Sequence, residues 1–148
     1  IAEMRAEAID LIGVPSKRDL LIAGAALYAG EGSKTDGAVS LANSDPRMIM
    51  LFLRWLRSCF EIDESRLRFR LYLNEGLDLD AANEFWSNLT LIPVTQFTKP
   101  YRAIPDASIR TSKHPMGCPC VTYSCSRTHR RVMGLVGALL SFDGSETG

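Results

Sequence analysis

The sequence predicts an α+β domain built on a four-stranded, mostly antiparallel sheet. Three observations carry that expectation. Leu67, Phe69, Leu71 and Leu73 alternate with Arg66, Arg68, Arg70 and Tyr72, the two-residue period of a half-buried strand. Ile49, Phe52, Leu53, Leu56 and Phe60 recur at helical spacing instead. Along the chain the elements read helix, strand, helix, strand, helix, strand, strand, helix, a succession that belongs to α+β architecture. At 148 residues the chain fits one domain with a sizeable core.

Taken in order, residues 1–16 show weak helical spacing (Ala6, Ile9, Leu11, Ile12) broken at Gly13-Val14-Pro15, and read as a linker or N-terminal arm. The domain proper is expected over 17–141. Ser16 and Asp19 form a capping-box pattern that starts a helix over 17–30. This helix is rich in Gly and Ala and stops at Gly30-Glu31-Gly32, where the glycines predict a left-handed helix end. A turn at 34–37 leads to a strand over 38–43. Asp45 as N-cap and Pro46 at the first helical position open the next helix. The arginine-lined strand covers 65–73, and a helix follows over 78–89. Residues 92–105 read as a Pro-punctuated loop. Two strands are expected at 107–112 and 120–125, joined by a turn at 114–117. Ser126 is the expected cap of a last helix over 127–140, and 142–148 reads as a disordered tail.

Composition excludes several classes. Hydrophobic residues make up 46% and charged residues 23%, as in ordinary globular proteins. The most apolar run, residues 20–29, is too short to span a bilayer, and the first residues lack a signal-peptide pattern. With four cysteines this predicts a cytoplasmic protein with reduced thiols and no membrane partner. His114, Cys118, Cys120 and Cys125 match no zinc ribbon or finger spacing, so the three cysteines read as structural thiols and the set is not expected to bind zinc. Seventeen basic and seventeen acidic residues cancel, so any nucleic-acid binding must come from local patches rather than net charge.

Three constellations could carry chemistry. Glu31 ends the small-residue helix, where the helix dipole opposes a carboxylate by about 0.3–1 kcal/mol. A divalent cation such as Mg²⁺ would offset that cost, with the Gly30 carbonyl as a second oxygen ligand; the alternative is an exposed glutamate in a glycine-rich turn. Arg66, Arg68, Arg70 and Tyr72 share one strand face, which suits phosphates or guanine edges and suits solvent equally well. Arg110 could extend that face. Arg127, His129, Arg130 and Arg131 crowd the start of the last helix, where the dipole disfavours cations, and phosphate contact would account for them, as would a frayed helix start. Lys34 and Lys99 are further candidates for contact with a phosphate.

The stretch Gly24-Ala25-Ala26-Leu27-Tyr28-Ala29-Gly30-Glu31-Gly32 resembles the LAGLIDADG motif of homing endonucleases and their relatives, with Gly24 in place of the opening Leu and Ala29 in place of the first acidic residue. The resemblance implies a curved sheet lying on DNA with helices packed on its other face. It implies Glu31 as the catalytic, metal-binding acid of an Mg²⁺-dependent double-strand DNA endonuclease. The chain has one copy of the motif, which implies a homodimer. Gly24, Ala25, Leu27 and Tyr28 would then lie in the interface, over a pseudo-palindromic double-stranded DNA site. The alternative to that interface is packing of the Gly/Ala face inside one subunit. A non-cleaving transcription regulator with a LAGLIDADG-like domain is the alternative function, and an interaction domain without DNA binding is a third. The helices after the first and second strands depart from the family's pattern.

Overall fold

The computed structural model describes residues 1–104 and 114–142. Helix α1 (Ala2–Ile12) precedes α2 (Lys17–Glu31), strand β1 (Ala38–Ala42) and α3 (Pro46–Cys59). Strand β2 (Leu67–Asn74), helix α4 (Leu79–Thr90), strands β3 (Tyr101–Ala103) and β4 (Cys118–Ser124), and helix α5 (Ser126–Leu140) complete the order. Single 3₁₀ turns precede β2 and β3.

Local signals place most of these starts. The Ser16 hydroxyl accepts from the Asp19 amide at 3.1 Å while the Asp19 carboxylate accepts from the Ser16 amide at 2.8 Å, so the capping box forms. Asp45 caps α3 through the Arg47 amide at 2.9 Å, with Pro46 first in the helix. Asp78 caps α4. At α5 the expectation shifts by one residue: Cys125 is the N-cap and Ser126 the first helical residue. Gly117, in the turn before β4, has φ +78, and a Cβ there would stand 2.4 Å from the Tyr72 carbonyl oxygen. Only glycine fits that turn.

The sheet runs β1-β4-β2-β3. β4 pairs antiparallel with both β1 and β2, while β3 pairs parallel with β2 through Tyr72↔Tyr101, Leu73↔Arg102 and Asn74↔Ala103. The architecture is thus α+β with four strands, but the sheet is mixed. The third strand falls inside the segment read as a loop, because three residues after Pro100 offer no alternation to recognise. The strand expected at 107–112 and the tail at 143–148 lie outside the described residues.

Burial divides the sheet into two faces. Val39 and Leu41, Leu67, Phe69, Leu71 and Leu73, and Val121 and Tyr123 all point inward and are buried. They meet the helices there, with Tyr28, Phe52, Trp55 and Phe60 in one aromatic cluster and Phe69, Phe85, Trp86 and Phe97 in another. Such rings supply most of the apolar area a core removes from water. No helix among the described residues packs on the opposite face of the sheet. Every residue of α1 is exposed.

Candidate functional site

Helix α2 packs against α3 and α5 and delivers Glu31 to its C-terminal end. Glu31 is exposed there as the last helical residue. The helix does not end left-handed: Gly32 has φ −77, ordinary extended backbone. Glycine is required for space, since a Cβ on Gly32 would stand 2.4 Å from the Tyr28 ring. From Gly32 the chain runs beside β1, with Gly32 bridging Leu41 and the Ser33 amide donating to the Ser40 carbonyl at 2.9 Å. Glu31 therefore stands at the β1 edge of the sheet.

Around that helix end the polar groups are tightly arranged. Lys34 donates from Nζ to the carbonyls of Tyr28, at 3.1 Å, and of Gly32. Its charge thus sits on the negative end of the helix dipole. The buried Tyr28 hydroxyl donates to the Ser33 carbonyl at 2.6 Å and accepts from the Ser40 amide at 3.2 Å. Burial pushes the Tyr28 phenol above its ordinary range. His129, only 3% exposed, lies edge-on to Tyr28, and Asp36 stands 3.5 Å from its Nδ1. Arg130 reaches Asp36 at 3.3 Å, and this hydrogen bond holds the Asp36 carboxyl below its usual range. His129 is therefore a packing residue and not part of a cationic surface. Arg127 and Arg131 remain exposed on α5.

The interface residues expected on α2 need correction. Gly24, Ala25 and Tyr28 are buried inside the chain, and a Cβ on Gly24 would lie 2.1 Å from the Trp55 indole. That indole crosses α2 closely enough to donate from Nε1 to the Leu21 carbonyl at 3.2 Å. Leu27 is half-buried against the core. The outward face of α2 carries a second set of small residues, Ala23, Ala26 and Gly30, all exposed. A Cβ on Gly30 would meet nothing within 4 Å.

The open face of the sheet is the second region. Arg68, Arg70 and Tyr72 point outward from β2 as the alternation predicted. Arg66 lies in the turn just before β2, where its guanidinium sits over the Tyr123 ring at 5.5 Å and donates to the Ser124 carbonyl. Arg68 folds back to the carbonyls of Ser65, at 2.7 Å, and Leu67, at 2.9 Å. From β4 and β1 the neighbours are short: Cys118, Cys120 and Thr122, then Ser40 and Ala42. Ser40 and Thr122 hydroxyls hydrogen-bond at 3.0 Å. Tyr101 on β3 stacks on Tyr72, ring centroids 4.9 Å apart. Sequence reasoning missed Tyr101, because nothing local marks its segment as a strand paired with β2.

The structure brings Lys34 to the helix end that carries Glu31. Lys99 is exposed just before β3, at the opposite edge of the sheet, three strand spacings or about 14 Å from β1. Arg110 lies outside the described residues. Among the described residues no three His, Cys, Asp or Glu side chains converge on a metal-sized site. No helix among them is long and apolar enough to cross a membrane. The thiols are free, and Cys125 is distinct: the Thr128 hydroxyl donates to its sulfur at 3.3 Å and holds its pKa below the ordinary thiol value. Burial pushes the Cys118 thiol the other way.

Comparison with protein-family models, with curated proteins and with solved structures gives no match.

Proposed function

We propose that the chain is a LAGLIDADG-type DNA-binding domain that acts as a homodimer on double-stranded DNA with a pseudo-palindromic site. The observation that carries this reading is the sheet face, uncovered among the described residues, on which Arg68 and Arg70 project. An arginine-lined sheet face with short residues at its centre suits a phosphate backbone, since arginine neutralises phosphates and fixes register on a duplex. The exposed Ala23, Ala26 and Gly30 face of α2 would bring two helices close across the dyad. Because Glu31 ends that helix at the β1 edge, the two carboxylates would then meet between the two sheets.

Glu31 and the Gly30 carbonyl offer hard oxygen donors, a set that fits a hydrated Mg²⁺ shared with the same residues of the partner. When bound, such an ion would supply an activated water for phosphodiester hydrolysis, making the domain a site-specific endonuclease. A second reading, a non-cleaving transcription regulator of the same type, is favoured by one contact. Lys34 already places a cation on the helix-end carbonyls of Tyr28 and Gly32, the charge balance that a metal would otherwise supply.

One experiment separates these readings. Duplex binding measured by fluorescence anisotropy should weaken steeply between 50 and 200 mM salt, and Arg68→Ala with Arg70→Ala should flatten the salt dependence by about one unit of slope each. A selected duplex is then incubated with Mg²⁺. Cleavage lost in Glu31→Gln supports the nuclease, and tight binding without cleavage supports the regulator. Absence of salt-dependent binding to any duplex overturns both.

A further inference from the structure

We propose that the open sheet face holds a pocket for one unpaired DNA base, stacked on Tyr72 as the third member of an aromatic column. The inference rests on the nucleic-acid reading of this face and names a recognition mode that the arginines alone do not supply.

Tyr101 and Tyr72 are register partners on adjacent strands, their rings 4.9 Å apart and within 20° of parallel. That separation equals the distance between strands, so the stack advances one ring per strand across the sheet. One face of Tyr72 is covered by Tyr101. Its other face looks towards β4, where the register partner is Cys118, a side chain too short to cover it. The next row is equally low, with Ala42 and Cys120 aligned on Arg70. Together these residues enclose a depression of about 610 Å³. Its size is that of sites for small ligands, commonly about 300–1,000 Å³. Both tyrosines remain about half exposed, 48% and 51%.

Charge selects the occupant. Neither this depression nor its neighbour of about 310 Å³, which shares Arg70 and Cys120 and runs on past Arg68, Thr98 and Thr122, is lined by a carboxylate among the described residues. A flat ring in the first and an anion along the second describe a nucleotide: the base against Tyr72 and its phosphates beside Arg70 and Arg68. A base inside a duplex has both faces covered by its neighbours, so the base that completes the column must be unstacked. The central strand supplies the slot by being small where its neighbours are aromatic.

The test compares two DNA duplexes of equal length, one fully paired and one with a single unpaired 2-aminopurine bulge, using the whole chain and reading the ratio of their dissociation constants. The wild-type protein should prefer the bulge by about tenfold or more, with quenched 2-aminopurine emission as the base stacks. Tyr72→Ala and Tyr101→Ala should each erase most of that ratio, and Tyr101→Phe should retain it, because the column needs the ring and not the hydroxyl. Circular dichroism confirms that the exposed substitutions leave the fold intact. A wild-type ratio near one, or a ratio that survives both alanine variants, overturns the inference while leaving duplex binding standing. Binding of the bulge with none of the paired duplex would do the reverse, keeping the base pocket and removing the duplex reading.

Discussion

The inner and outer faces of α2 both carry small residues, and these meet opposite surroundings. Inside, Gly24 lets the Trp55 indole lie against the helix backbone, and just past the helix Gly32 leaves room for the Tyr28 ring. Outside, Ala23, Ala26 and Gly30 face open space. Small side chains are used inside because a large aromatic has to be seated. They are used outside where nothing among the described residues fills the gap. Composition alone therefore says that something approaches closely, and only packing says what approaches on each side.

Substitutions can break this contrast. The largest effect should come from Trp55→Ala, which empties the space that Gly24 creates; loss of a buried indole should cost about 3–5 kcal/mol in a urea denaturation experiment. Gly24→Ala is next. Its methyl would have to displace the buried indole 2.1 Å away, an overpacking expected to cost about 1–3 kcal/mol by the same measurement. If Gly24→Ala were tolerated without loss, the indole would not be held as closely as described. Gly30→Ala gives the smallest effect and the opposite sign. The added methyl meets nothing, and alanine favours the helix, so stability should rise by up to about 1 kcal/mol. In sedimentation experiments the same change should weaken self-association, because it thickens the seam proposed between two α2 helices.

The open face of the sheet was legible from one strand. Alternation over 67–73 placed Arg68, Arg70 and Tyr72 outward, and the strand carries them there, although the Arg68 guanidinium folds back to the Ser65 and Leu67 carbonyls. Arg66 escaped the pattern by one residue, because the turn before β2 lets it bend back over Tyr123. Tyr101 was illegible, since a three-residue strand has too short a period to read and its partner lies 29 positions away in sequence, at Tyr72. His129 was misread for a related reason. It sits among three arginines in the chain, yet helical geometry turns it inward against Tyr28 while Arg127, Arg130 and Arg131 turn out.

By itself, the sequence determined helices α2 to α5 and strands β1, β2 and β4, because caps and hydrophobic periods act over a few residues: Ser16 with Asp19, Asp45 with Pro46, and the leucines of β2 are all local signals. It also determined that Glu31 closes a helix built for close approach. The tertiary structure alone decided which face of that helix is already filled, that Lys34 rests on its final carbonyls, and that Tyr101 joins Tyr72 beside an open slot. Those outcomes depend on pairings between distant segments, whose geometry no local period encodes.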